Sequence, residues 1–221
     1  MNEINEGSIQ KVLDWADKNS IPDLKWIEHD SYLKGGYFKG VPRDKEKLVN
    51  LTQLNLLGYQ LHELPKEISA LVKLTKLYLS GNKLTELPVE FCNLTNLEEL
   101  YIPGNHLNCI PDEIGKLKNL KILILQENQL TEIPEEIGAL KELTTLELGG
   151  NKLTSLPEEI GNLTHLNKLT IWKNKLTKLP KKIENLINLT EFDCLYNKIE
   201  LSQENVQWLE KLMINDCRVN I

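Results

Sequence analysis

Leucine returns every 23 residues, at Leu51, Leu74, Leu97, Leu120, Leu143, Leu166 and Leu189, and each opens the same alternation of apolar and variable positions, L-x-x-L-x-L. A period of two predicts a short strand with one buried and one free face. In the unit that starts at Leu120, Leu123 and Leu125 face inward, and Ile122 and Ile124 face outward. The second half of each unit reads L-P-x-x-I-x-x-L, as in Leu156, Pro157, Ile160 and Leu163. Apolar residues three apart behind a proline predict a tight 3₁₀ turn. Between the halves stands an asparagine column, Asn82, Asn105, Asn128, Asn151, Asn174 and Asn197, placed where buried backbone groups need partners that an amide supplies from both ends. Tyr59 takes that position in the first full unit, so the ladder should begin one unit later. A strand and one turn of helix cannot close a core alone, whereas stacked copies can. The pattern therefore predicts an α/β solenoid, a horseshoe whose inner face is a parallel β-sheet and whose convex side carries short 3₁₀ or α turns.

Both ends depart from the pattern, and three segments follow: an N-terminal helical cap with a degenerate repeat over 1–47, regular repeats over 48–200, and a closing unit over 201–221. Ile9, Val12, Leu13 and Ala16 recur at helical spacing behind a candidate N-cap at Ser8, and Ile21-Pro22 ends that run. Trp15 and Trp26 are expected to cover the open end of the leucine stack. Val41-Pro42 lies one period before Leu64-Pro65. At the other end Ser202 is placed to cap a short helix through Val206, Trp208 and Leu209. Leu209, Leu212 and Ile214 then restate the strand spacing and put Cys217 in the asparagine position.

The unit L-x-x-L-x-L-x-x-N-x-L-x-x-L-P-x-x-I-x-x-L resembles the leucine-rich repeat family, in the 23-residue type found in Ras-suppressor and scribble-like proteins and in many bacterial repeat proteins. The resemblance spans about residues 48–200. It implies a curved solenoid that binds another protein on its concave sheet, with a signalling enzyme or small GTPase as a partner by analogy.

Composition narrows the function. A net charge of −6 and a pI near 5.4 argue against binding a phosphate backbone, which rests on clustered Lys and Arg. The N-terminus lacks a basic start and an apolar core, and no apolar run approaches membrane length, so a cytoplasmic protein is expected. The four cysteines lack the paired caps of extracellular repeat proteins and read as free thiols. His106 with Cys109 has no third member that would make a metal or nucleophile site, and Gly81, Gly104 and Gly150 are turn glycines rather than a phosphate loop. Neither a cofactor nor an enzymatic activity is expected.

The chemistry then lies in the outward strand positions. The third-position column is Gln53, Lys76, Glu99, Ile122, Thr145, Lys168 and Glu191. The fifth is Asn55, Tyr78, Tyr101, Ile124, Glu147, Thr170 and Asp193, and the seventh is Leu57, Ser80, Pro103, Gln126, Gly149, Trp172 and Leu195. Neighbours in a column are one strand spacing apart, so Tyr78, Tyr101, Ile122 and Ile124 should form an exposed apolar patch. Trp172, Leu195 and Tyr196 form a second patch toward the C-terminus. Glu99, Glu147, Glu191 and Asp193 tilt the groove acidic and favour a protein partner with basic residues. The simpler account is that these aromatic side chains only pack across strands, although Gly149 and Leu195 offer little to cover the Trp172 indole. The leading function is a non-catalytic recognition module. The alternatives are a bacterial effector delivered into a host cell, and a structural protein that associates with itself.

Overall fold

The computed structural model describes residues 3–27 and 37–221, without the side chains of residues 3–5 and Trp26. Helix α1 (Glu3–Lys18) leads into an antiparallel hairpin of β1 (Lys25–Ile27) and β2 (Tyr37–Lys39), then a short helix α2 (Lys45–Val49). Seven strands follow at constant spacing: β3 (Gln53–Asn55), β4 (Lys76–Tyr78), β5 (Glu99–Tyr101), β6 (Ile122–Ile124), β7 (Thr145–Glu147), β8 (Lys168–Thr170) and β9 (Glu191–Asp193). Helix α3 (Gln203–Ile214) and β10 (Arg218–Asn220) close the chain. Strands β3 to β10 form one parallel sheet of eight in sequence order. The pairing never slips: Leu77 lies beside Leu100, Leu100 beside Leu123, and Leu123 beside Leu146. Strands are joined on the convex side by six 3₁₀ turns, among them Glu135–Ala139 and Glu158–Asn162, each entered through a proline with φ between −62 and −68°. The fixed proline φ sets the entry, and its carbonyl accepts the first bond of the turn, as Pro134 does from Ile137 N at 3.1 Å. The result is the expected α/β horseshoe.

The asparagine column works as the sequence requires. Asn128 donates through Nδ2 to Ile102 O (2.9 Å) of the previous unit and to Leu125 O (3.1 Å) of its own, and its Oδ1 accepts from Leu107 N (3.1 Å). Asn151 repeats this on Leu125 O, Leu148 O and Leu130 N at 3.0, 2.9 and 3.0 Å. The ladder begins at Asn82, one unit after Tyr59, whose ring lies under the Lys39 ammonium at 4.8 Å. The residue before each asparagine is left-handed. Gly81, Gly104 and Gly150 meet that demand without strain, and Glu127 (φ 50°), Lys173 (φ 50°) and Tyr196 (φ 58°) adopt it despite their Cβ atoms.

Convex glycines at the unit contacts hold the turns together. A Cβ at Gly138 would come within 2.6 Å of Glu159 O, and one at Gly161 within 2.1 Å of Lys182 O. Cys92 stands at the equivalent position of an earlier unit and is buried there, so it is a packing residue of the turn Val89–Asn93.

The ends differ from the sequence reading in detail. α1 begins before Ser8, which lies inside the helix, and its Ile9, Val12, Trp15 and Ala16 are buried against the first 3₁₀ turn, Lys66–Ala70. The proposed covering by Trp26 falls on a side chain outside those described. At the C-terminus Ser202 does cap α3: its hydroxyl accepts from Asn205 N (3.1 Å) and its own N–H donates to Asn205 Oδ1 (3.3 Å). Leu209, Leu212 and Ile214, however, belong to that helix and not to a strand. Asn205, Trp208, Leu209 and Leu212 bury one helical face, and Ile214 is exposed. The closing strand is β10, in register with β9 through Arg218 and Glu191, so Cys217 precedes a strand and does not occupy the asparagine position. Trp208 meets Phe192, which replaces the usual strand leucine, edge to face at 5.2 Å.

Asn151→Ala should strip three backbone groups of buried partners and lower stability by about 3 kcal/mol, whereas Asn197→Ala, half-buried in the last unit, should cost about 1 kcal/mol. Urea denaturation followed by circular dichroism reads the difference. Equal midpoints for the two variants would show that the ladder does not carry this load.

Candidate functional site

Strict register turns every outward residue into a member of a column across the concave sheet, and the columns set the surface. Tyr78 and Tyr101, opposite one another in β4 and β5, stack with ring centroids 4.8 Å apart and planes at 12°. Tyr101 Oη donates to Glu99 Oε2 at 3.0 Å. Both rings are half-buried, and the stack continues in register to Ile124 on β6. Ile124 departs from expectation. It is only 9% exposed and adds little surface to the patch, while Ile122 beside it stays half-buried. The inner side of a curved sheet crowds its side chains, so a residue between a tyrosine ring and Glu147 is largely covered.

Trp172 also differs. A Cβ on Gly149 would lie 2.1 Å from Trp172 Nε1, so the indole rests on the bare backbone of the neighbouring rung, and Lys173 Nζ approaches the ring at 5.8 Å. The glycine is the indole's seat. Leu195 is half-buried beyond it. Tyr196 does not belong to a strand column: it takes the left-handed turn position and is 79% exposed. Asp193 is engaged within the chain, accepting from Leu195 N at 3.1 Å and from Asn220 Nδ2 at 3.2 Å.

The concave glutamates are matched by lysines on adjacent rungs. Lys76 pairs with Glu99 at 2.7 Å, and Lys168 pairs with Glu147 at 2.9 Å and Glu191 at 3.4 Å. Gln126 Nε2 donates to Glu147 as well. The hydrogen bond to Glu99 raises the Lys76 pKa above that of a free lysine. Burial works against the Lys168 charge, yet the hydrogen bond and field of Glu147, with Glu191 behind it, outweigh burial and hold its pKa up. Burial first, then the negative field of Glu99, raises the Tyr78 and Tyr101 phenols. The acidic tilt inferred from the columns is thus largely spent inside the face.

A family model described as a leucine-rich repeat region matches residues 42–123 and 104–214. The chain belongs to the leucine-rich repeat family. No curated protein matches this leucine-rich repeat chain. Among solved structures it is similar to a leucine-rich repeat protein of Leptospira interrogans, with a TM-score of 0.56 and 32% identity over 75% of this chain and 54% of that one. It is also similar to the plant peptide hormone receptor RGFR1, solved in complex with RGF2, with a TM-score of 0.65 and 35% identity over 75% of this chain and 32% of the receptor. An internalin from Listeria monocytogenes shares the fold, with a TM-score of 0.67 at 24% identity over 82% of this chain and 51% of that one. The chain spans about half the length of the Leptospira protein and a third of the plant receptor. Among the described residues no helix is long and apolar enough to cross a membrane.

The sequence reading of this repeat face missed the Gly149 seat and the counter-ions Lys76 and Lys168. Both were in plain view in the columns. The signal was opposite charge, or a glycine beside a large ring, at the same unit position one period away.

Gly149→Ala should push the Trp172 indole off its seat, shift tryptophan emission to the red and leave the melting temperature nearly unchanged; an unaltered spectrum would show that the ring does not rest there. The Tyr101 phenol is held protonated by folding, so its contribution to stability is intact below the ordinary phenol range and is lost as pH climbs toward the raised value. Tyr101→Phe should therefore lose urea resistance less steeply than the parent above about pH 10. Parallel pH profiles would refute this.

Proposed function

We propose that this chain is a non-catalytic recognition module that holds a partner protein or peptide on its concave sheet. The observation that carries the reading is a row of half-buried aromatic rings, Tyr78 stacked on Tyr101 and Trp172 seated on Gly149, on a sheet whose charges already satisfy one another. Aromatic side chains held in one orientation lose little entropy on binding and offer large contact area, the usual character of interface hot spots. The flanking members of the site are Ile122, Glu147, Leu195 and Tyr196, with Ile124 and Asp193 further along the tyrosine column.

The plant receptors similar to this chain support the reading, since two are described in complex with RGF2 and with CASPARIAN STRIP INTEGRITY FACTOR 2. Two buried thiols are ill suited to nucleophilic chemistry: burial pushes the Cys92 and Cys194 pKa values up to about 12, which leaves them protonated. All four cysteines are free, in keeping with a reducing, cytoplasmic setting.

Peptides selected on the intact chain from a displayed random library should lose about tenfold or more in affinity, some 1.4 kcal/mol, on Tyr101→Ala or Trp172→Ala, with Tyr78→Ala weaker but in the same direction. Fluorescence anisotropy measures this, with circular dichroism to confirm folding. Undiminished binding by the folded Tyr78/Tyr101/Trp172 triple alanine variant would end the concave-face reading.

A further inference from the structure

The residue after each ladder asparagine cannot choose its place. The amide is buried and bound on three sides, so the next side chain is turned out onto the flank where the chain leaves the sheet, one rung above its counterpart. In the C-terminal half that residue is Lys152, Lys175 and Lys198 in succession. The rungs are joined by Lys175 N to Leu153 O at 2.8 Å and Lys198 N to Leu176 O at 2.9 Å. All three lysines are exposed, and rungs of a parallel array lie roughly 4.8 Å apart.

Like charges at that spacing repel unless something anionic lies between them. Among the described residues no carboxylate comes within ion-pair distance of Lys152, Lys175 or Lys198, and Lys152 donates only to the neutral Gln129 amide at 2.8 Å. Lys173, next to Trp172, adds a fourth cation, with Glu127 at 3.6 Å as a loose and exposed partner. Among the described residues Glu200, two beyond Lys198, has no ion-pair partner. The lysines of the concave face are treated differently, since Lys76 and Lys168 each have a carboxylate on an adjacent rung. The contrast matters because the whole chain carries a net charge of −6, yet the unmet charge beside its exposed aromatic cluster is positive.

We propose that this flank is the docking rim for an acidic polypeptide segment, whose apolar residues sit on Trp172 and Tyr196 and whose Asp or Glu carboxylates lie along Lys175, Lys198 and Lys152. The proposal rests on the concave-face reading and reverses the partner's charge, which the strand columns alone had suggested to be basic. A polypeptide fits better than a nucleic acid because the cations form one short line bordered by apolar surface, without the wider basic field that phosphate backbones require.

The test uses the intact chain and a fluorescein-labelled peptide of alternating glutamate and leucine, compared by anisotropy with a lysine-leucine peptide and with a single-stranded DNA of equal charge, at low and moderate salt. The glutamate peptide should bind most tightly and weaken with salt. The double variant Lys175→Glu/Lys198→Glu should weaken it about tenfold or more, and Lys118→Glu/Lys141→Glu, on the flank where the chain enters the sheet, should leave it unchanged. If Trp172→Ala weakens binding and the lysine reversal does not, the rim is wrong and the concave reading stands; if neither matters, both fail. Tighter binding of the lysine peptide or of DNA, or no binding of the glutamate peptide at low salt, overturns the proposal.

Discussion

The structure hangs on one side chain, the asparagine that follows each strand from β4 to β9. Its amide answers two carbonyls and one N–H, one of the carbonyls and the N–H belonging to the preceding unit. A buried turn in the backbone would otherwise leave those groups without partners, each at a cost of about 1–3 kcal/mol. Because the same amide spans two units, it also sets the vertical spacing. The strands can neither slip in register nor spread apart without breaking it, and the leucines stack as an uninterrupted core because of that. The left-handed residue before each asparagine and the outward residue after it are consequences of the same geometry.

A sheet held in such register converts sequence period into surface chemistry. Residues one repeat apart become neighbours, so opposite charges on adjacent rungs form ion pairs: Lys168 meets Glu191 at the same unit position and Glu147 from the adjoining column, across three rungs. These pairs are half sheltered by the curved face, with only 14% of the Glu147 side chain exposed, and are less screened than ordinary surface pairs. Where the column is aromatic, the rings stack; where a glycine precedes a tryptophan, the ring lies on backbone. The concave face is thereby organised before any partner arrives, and the charge left unmatched lies on its rim.

Stacks of this kind have two open ends, and the chain closes each with helical rather than repetitive material. α1 lays Ile9, Val12, Trp15 and Ala16 over the first 3₁₀ turn, and Gly40, with φ at 112°, lets the end of the hairpin pass so close to Pro22 that a Cβ would lie 2.6 Å from its carbonyl. At the far end Phe192 is the one strand position in the leucine column that widens to an aromatic ring, and it meets Trp208 of α3. There the larger ring fills space between the sheet and α3.

Periodicity made the solenoid, the inner sheet, the 3₁₀ turns and the ladder readable from the sequence, because each depends only on residue type at a fixed unit position. The columns were readable for the same reason, and they correctly brought Tyr78 beside Tyr101. What failed were inferences that need a third dimension. Leu209, Leu212 and Ile214 have the spacing of a repeat strand, but Trp208 and Leu209 with Asn205 and Leu212 also fit one helical face, and only packing against Phe192 decides between the two. Ile124 counted as exposed by position is buried by curvature, and carboxylates counted as free are neutralised by lysines one rung away. Local pattern determines which face a residue takes; whether that face is open, paired or covered depends on neighbours a full repeat distant, and only the folded stack brings them together.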